Sequence, residues 1–377
     1  MNDSSIAKSL PANAEALAFS YVERKGLLKL TIMNLLLNIV TLWFYRFWAK
    51  THVRKHIWSC VHINGEPLEY TGTGMELFKG FLVVLAVFIL PYAVFSGVVY
   101  VVYGPESPLH IIAYIALIFL IQVLWGFAIY KARKYQLSRT QWRGIRGTLT
   151  GSAMIYSLLY FGSQIAKSMS LGWSTPVLNT VLQEQITNDM RFGDAAFKFK
   201  GRAGPLYPTY AMCWLLTGAA IIGALVVFFS SAAASGYFQD LFNSDKNPGD
   251  EALHWLGLAL VVLILFLLVA MVLIPMLWAI YTAKELRTFA TYTRFDGAQF
   301  QLSATTWSVI WLTIVNLLIL IFTLGQGWPY IQQRLVRFMV DRLTLDGKVD
   351  IDRIGQSTAK LEGRGEGLAD AFDVGGF

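Results

Sequence analysis

The sequence predicts an all-α polytopic membrane protein with four spanning helices, three re-entrant or interfacial helix pairs, small cytoplasmic β-hairpins and parallel internal repeats. Three observations carry this reading. First, 55% of the 377 residues are hydrophobic and 15% charged, with mean hydropathy +0.50, whereas soluble domains carry about 25% charged residues. Second, several apolar runs are long enough to cross roughly 30 Å of hydrocarbon as helices. Third, the chain matches itself at a fixed offset. The composition excludes a soluble enzyme, a disordered scaffold and a collagen-like chain. Two cysteines, Cys60 and Cys213, are too few for a disulfide framework.

Four runs have spanning length: 78–103, 109–130, 205–230 and 253–281. Pro91 and Pro275 lie inside two of them, where a kink is expected. Three stretches, 27–42, 152–170 and 305–324, are shorter or interrupted by polar residues. The positive-inside rule decides their reading. If they dip in and return, only 104–108 and about 231–252 face outward. Lys246 is then the one cation outside, and 30 of the 31 Lys and Arg face inward. If all three crossed, Arg191, Lys198, Lys200 and Arg202 would move outside. Four crossings with both termini cytoplasmic follow. This asymmetry also accounts for the net charge of +7 without nucleic acid as a partner. Residues 1–18 lack a basic n-region and an apolar h-region, so no cleavable signal is expected there.

At an offset of 282, LTIMNLLLNIVTL (30–42) lies on LTIVNLLILIFTL (312–324), with nine identities in thirteen positions. The offset also carries Asn64-Gly65 onto Asp346-Gly347. A weaker copy, SLGWSTPVLN (170–179), matches TLGQGWPYIQ (323–332). The shared plan is an apolar helix, a Leu-Gly or Leu-Trp break and a more polar helix. A second repeat links 127–149 to 278–300. Five glycine turns punctuate alternating segments: Asn64-Gly65, Arg146-Gly147, Phe192-Gly193, Asp296-Gly297 and Asp346-Gly347. These are hairpin signals. The expected organisation is a disordered segment 1–18, repeats 19–151 and 152–303, a partial repeat 304–350 and a disordered tail 351–377.

The string TLWFYRFWAKTHVRKHIWSCVHINGEPLEYTGTGMELFKG (41–80) and the ending GEGLADAFDVGGF (365–377) resemble the YjgN-like family of bacterial inner-membrane proteins, a family of unknown function. The resemblance covers most of the chain. It implies a multi-pass inner-membrane protein of a Gram-negative bacterium and supplies no catalytic or binding residue. It also suggests partnership with a membrane metallopeptidase. His52 and His56 stand where the family pattern would have basic or aromatic residues.

The sharpest local chemistry is His52, His56 and Cys60, spaced i, i+4, i+8 with His62 nearby. On a continuous helix they share one face and form a soft-metal set. The plainer reading is an interfacial amphipathic helix. Asn34 and Asn316 occupy matching repeat positions, with Asn38 one turn from Asn34. Buried amides need partners, so these residues, with Gln164 and Lys167, either bond between helices or frame a polar path. Arg46, Lys50, Arg54 and Lys55, with Lys131, Arg133 and Lys134, lie beside tryptophans and tyrosines. That pattern suits lipid headgroups, anionic ones especially. Phosphate-loop spacing, a Gly-x-Ser-x-Gly elbow and a His-Glu-x-x-His pair are all missing from the sequence. No cofactor and no catalytic activity are expected. Two functional classes remain: a non-catalytic scaffold or adaptor holding a partner such as a membrane protease through its hairpins and tail, and a transporter or channel-like protein with a polar path between repeats.

Overall fold

A computed structural model describes residues 15–104, 107–234 and 269–357, with 257, 261 and 266 between the last two stretches. They form two compact units. The first holds the described residues of 1–202, 289–303 and 323–377, the second those of 203–288 and 304–322.

In the first unit, strand β1 (Phe19–Tyr21) precedes helices α1 (Leu27–Val40) and α2 (Arg46–Trp58). A hairpin of β2 (Val61–Ile63) and β3 (Glu66–Pro67) turns at Asn64-Gly65, both with positive φ. That is the backbone an Asn-Gly pair suits. Short β4 (Glu69–Tyr70) leads into α3 (Gly74–Val84). The Thr73 hydroxyl accepts a hydrogen bond from the Glu76 amide and caps this helix. A π turn over Leu85–Ile89 continues into α4 (Leu90–Tyr103). Pro91 offers no N–H and crowds the preceding turn, so the helix widens just before it.

Helix α5 (Pro108–Arg139) ends in a hairpin of β5 (Thr140–Trp142) and β6 (Ile145–Leu149). The turn residues are Arg143 and Gly144, with φ 49° and 74°, not the expected Arg146-Gly147, which lie within β6. Helices α6 (Ala153–Met169) and α7 (Thr175–Asp189) precede the hairpin of β7 (Met190–Phe192) and β8 (Ala195–Phe199). Later in the chain come β9 (Thr293–Phe295), β10 (Ala298–Leu302), α11 (Trp328–Val340) and β11 (Leu343–Asp346); α8 to α10, described below, lie between β8 and α11.

The strands do not remain separate hairpins. They pair antiparallel in the order β1-β2-β3 and β4-β5-β6-β7-β8-β9-β10-β11. The Leu68 amide donates to the Val61 carbonyl at 2.8 Å and bridges the break between β3 and β4. Glu15 and Val349 exchange backbone hydrogen bonds of 3.0 and 2.9 Å, so the two ends of the circuit meet. This single bridge, between residues flanking β1 and β11, brings the two edge strands of the circuit together. Its core packs Trp142, Phe295, Ala298, Leu345, Val349, Ile351 and Ile354, flanked by Phe19, Phe192, Phe197 and Phe300. The Phe197 and Phe295 rings stack 4.5 Å apart. The all-α expectation therefore understates a β component built from strands far apart in sequence.

Of the two segments expected to be disordered, the described residues 15–18 and 351–357 join this ring. Glu15 bonds Val349, and the Ala18 amide donates to Asn64 Oδ1. Residues 351–357 cross three hairpin turns. Arg353 pairs with Asp296, Gly355 exchanges backbone and carboxylate bonds with Asp194, and the Gln356 amide donates to the Gly144 carbonyl.

Around the ring, α3 is tied to α5 by Glu76. Its carboxylate accepts from the Tyr135 hydroxyl and from Arg139, each at 2.5 Å. Helices α5 and α6 meet at Gly126, where an added Cβ would lie 2.8 Å from Tyr160 Cβ and 3.0 Å from Ser157 Cα. Small residues permit such close approach of helices. Gly126→Val is expected to lower the melting midpoint in detergent, by about 1–3 kcal/mol of overpacking. An unchanged midpoint would show that α5 and α6 are free to separate.

The second unit contains α8 (Tyr207–Ala234), part of α9 (Ile274–Tyr292), and α10 (Thr306–Phe322). A π turn, Val269–Leu273, precedes Pro275, as at Pro91. Within this unit Trp278 donates to the Thr217 hydroxyl at 3.1 Å, and Tyr210 packs edge-on against Trp278 and Tyr281.

Among the described residues, three helices are long and apolar enough to cross a membrane: Gly74–Tyr103, Pro108–Arg139 and Gly204–Val227. In each, only 11% of the most apolar window is buried, which leaves the rest of its side chains for lipid to cover. Of the fourth expected span, 253–281, the stretch before Val269 lies mostly outside the described residues.

Candidate functional site

Three helix–turn–helix breaks share one backbone shape. Leu42 and Trp43, Leu171 and Gly172, and Leu324 and Gly325 all have positive φ. The Trp43 amide reaches back to the Asn38 carbonyl at 2.7 Å, and the Gly172 amide to the Lys167 carbonyl at 2.7 Å. These are six-to-one bonds of a Schellman-type helix end. The preceding hydroxyl then caps the next helix: Thr41 Oγ1 accepts from Tyr45 N, Ser170 Oγ from Ser174 N and Thr323 Oγ1 from Gly327 N. This explains the Thr/Ser-Leu-Gly signature. Trp43, at φ 68°, occupies a position that is Gly in the other two turns. A left-handed non-glycine residue costs on the order of 1–2 kcal/mol, so its indole is held in place at a cost.

That indole lines a cavity of about 250 Å³ between α1, α2 and the start of α11. Asn34 and Asn38 come from α1; Arg46, Lys50 and Arg54 come from α2; Gln326, Trp328 and Gln332 come from the turn and α11. Asn34 is 5% exposed. Neither of its amide atoms, nor the Asn38 carbonyl oxygen, has a hydrogen-bond partner within the protein. Leaving such a group unsatisfied costs about 1–3 kcal/mol. Arg54 is buried, with its guanidinium donating to the Tyr70 hydroxyl at 3.3 Å. The Arg46 guanidinium sits 4.9 Å from the Phe47 ring and 5.2 Å from that of Phe81.

The other sequence-predicted polar residues lie elsewhere. Lys167 donates to Asn179 Oδ1 at 2.8 Å, which joins α6 to α7. Gln164 is also on α6 and outside the cavity lining, while Asn316 is on α10 in the second unit. Among the proposed headgroup cations, Lys55 is exposed on α2, while Lys131, Arg133 and Lys134 fall on the last turns of α5, with Lys131 over the Phe127 ring. Gln326 and Gln332 lie in the repeat copy 323–332, but the repeat itself marks neither as a cavity residue. They enter the site because α11 packs beside α1.

His52, His56 and Cys60 are not brought together as ligands. Helix α2 ends at Trp58, so Cys60 leaves the shared face, and its thiol donates to the His56 carbonyl at 3.2 Å. His52 Nδ1 lies 3.2 Å from the Tyr45 hydroxyl. Among the described residues no three His, Cys, Asp or Glu side chains form a metal-binding group. Desolvation lowers the pKa of both histidines; the Lys55 charge adds to the effect at His52, while at His56 a hydrogen bond with the Arg24 backbone partly opposes it. The unfolded chain then binds protons more readily than the folded one. Their neutral forms therefore support the fold above the unfolded pKa near 6.5, and that support is lost as pH falls through the lowered folded values. The melting midpoint is expected to fall between about pH 7 and about pH 5, with a shallower slope in His52→Asn/His56→Asn; an identical slope would contradict this.

A second cavity, about 280 Å³, lies inside the ring and is lined by Phe19, Ile63, Trp142, Phe192, Phe197, Phe295 and Phe300 among others. It has the character of a core void. Trp142 Nε1 in its wall has no hydrogen-bond partner.

Long apolar helices uncovered by protein, together with a strand ring, define an integral membrane protein without a recognisable catalytic centre among the described residues. The chain belongs to the bacterial family of unknown function DUF898, whose family profile matches residues 16–371. It is similar to the inner membrane protein YjgN of Salmonella typhimurium, with 20% identity over 373 residues covering 88% of each chain. Both findings place it in the YjgN-like family. No solved structure matches the chain.

Proposed function

We propose that this protein is a non-catalytic scaffold or adaptor of the inner membrane, in which the strand ring forms a cytoplasmic platform. The observation that carries the reading is the threading of residues 349–357 across three hairpin turns of a closed ring. In this reading the cytoplasmic hairpins and the C-terminal tail hold a partner such as a membrane protease. The polar groups that a transport path would need are dispersed: Asn34 and Asn38 share one cavity, whereas Lys167 is paired with Asn179.

The proposed topology has four spans, both termini cytoplasmic and three re-entrant or interfacial pairs: α1 with α2, α6 with α7 and α10 with α11. Helix α1 has 14 residues and α6 and α10 have 17 each, or about 21 and 26 Å at 1.5 Å per residue. Both lengths fall short of the roughly 30 Å hydrocarbon core. The shared left-handed backbone of the three helix breaks supports parallel internal repeats. In the proposed topology 191–202 faces the cytoplasm with the rest of the ring.

Affinity purification of the full chain from native membranes, followed by mass spectrometry, tests the reading. A scaffold retains a defined partner in near-stoichiometric amount and loses it on truncation after residue 357. Solute flux through proteoliposomes with no retained partner would replace the scaffold with the transporter reading. Periplasmic labelling of cysteines placed in 191–202 would overturn the topology.

A further inference from the structure

We infer that the cavity between α1, α2 and α11 is a binding site for a sugar, a neutral polyhydroxylated ring held by the asparagines of α1 and by two indoles. Asn34 and Asn38 stand one helical turn apart on α1, and both line the cavity. Buried Asn34 leaves one donor and one acceptor without a partner within the protein, and Asn38 leaves one acceptor. The ligand must therefore both donate and accept. A hydroxyl does both, whereas an ammonium only donates and an ionised carboxylate or phosphate only accepts. Trp43 and Trp328 also line the cavity, and both are exposed. The negative face of an indole attracts the C–H groups on the face of a sugar ring, while hydroxyls on the ring edge reach the amides. Arg46 and Arg54 on the wall are engaged within the protein, the first over the Phe47 and Phe81 rings and the second with the Tyr70 hydroxyl. The amides and indoles thus define the ligand.

The third helix break is an internal comparison. At the offset of 282, Asn38 lies on Leu320 and Trp43 on Gly325. That copy makes the same left-handed turn with Leu324 and Gly325, so the break needs neither the Asn38 amide nor the Trp43 indole. Both residues are costly where they stand: one leaves a buried oxygen without a donor, and the other holds φ 68° without being glycine. Strained residues of this kind gather at ligand clamps. Water alone satisfies the amides but gives no reason for an indole where glycine closes the same turn. The volume of about 250 Å³ lies below the roughly 300–1,000 Å³ of drug-sized pockets, which suits one sugar unit and excludes an oligosaccharide. The site stands apart from the scaffold reading, because no residue of the strand ring lines it.

Thermal melting of the full chain, in a detergent without a sugar headgroup, tests it. The soluble probes are D-glucose, D-galactose, D-mannose, N-acetyl-D-glucosamine and D-ribose, and the lipid probe is monoglucosyldiacylglycerol. At least one probe is expected to raise the melting midpoint saturably. Protection by a soluble probe assigns the site to a free sugar, and protection by the glycolipid alone assigns it to a lipid-borne one. Asn38→Leu and Trp43→Gly install the residues that the third copy carries. Both are expected to leave the ligand-free midpoint unchanged or higher and to weaken the apparent affinity for the protecting probe. Loss of the single Asn38 contact corresponds to about fivefold, and loss of both Asn34 contacts in Asn34→Leu to about tenfold or more. Failure of every probe to protect, as in a site that holds only water, would overturn the inference, and so would undiminished affinity in Asn34→Leu and Asn38→Leu.

Discussion

Gly193→Ala is expected to expel residues 349–357 from the strand ring. Gly193 has φ +59°, and a Cβ there would sit 2.2 Å from the Gly355 carbonyl oxygen and 2.8 Å from Ile354 Cγ2. Neither neighbour is the free end of a flexible side chain. The Gly355 carbonyl is held by the Asp194 amide and the Gly355 amide by the Asp194 carboxylate. Relief of the clash therefore breaks both bonds and uncovers Val349, Ile351 and Ile354, which are all buried. Each buried aliphatic side chain contributes about 1.5–3 kcal/mol, so full release costs on the order of 5 kcal/mol after allowance for residual contacts. Hydrogen exchange should show loss of protection over 349–357, together with a lower melting midpoint. Gly297→Ala is the control. It has φ +90° with nothing within 4 Å of the added Cβ, so it carries backbone strain of about 1 kcal/mol and leaves the segment protected. Equal exchange in the two variants would show that strain, and not the contact with Gly355, is responsible.

Glu76→Ala is the second large effect. The Glu76 and Arg139 side chains are 25% and 13% exposed, and the carboxylate also accepts from the hydroxyl of fully buried Tyr135. Removal of Glu76 strands a mostly buried guanidinium, whose Nε already has no partner, and takes one hydrogen-bond acceptor from the Tyr135 hydroxyl. Breaking a buried ion pair from one side costs about 3–5 kcal/mol, and here the loss falls on the joint between α3 and α5. Replacement of both charges, as Glu76→Leu with Arg139→Met, should recover much of the stability, because no lone charge remains. A double-mutant cycle on the melting midpoint in detergent checks this. If the double variant is as unstable as Glu76→Ala, packing and not charge dominates the joint.

The amino-acid sequence by itself determined what short-range physics controls. Hydropathy over twenty residues marked the helices at 74–103, 108–139 and 204–227, because each satisfies its own backbone hydrogen bonds. Asn64-Gly65 and Asp296-Gly297 announced their turns through left-handed backbone. The Thr/Ser-Leu-Gly breaks announced theirs through the hydroxyl that caps the following helix. The same reasoning failed by a few residues at Arg143-Gly144, where a nearby Arg-Gly pair competes, and at Cys60, where an i, i+4, i+8 spacing outran the end of its helix.

Only the tertiary structure decided the ring, the segment threaded across it and the cavity. Closure pairs Glu15 with Val349, and Glu76 finds Tyr135 and Arg139 some sixty positions away. Gln326 and Gln332 line a cavity with Asn34 only because α11 lies beside α1. Such contacts depend on how loops close over long separations. A residue's local pattern holds no record of which distant strand or helix it will meet.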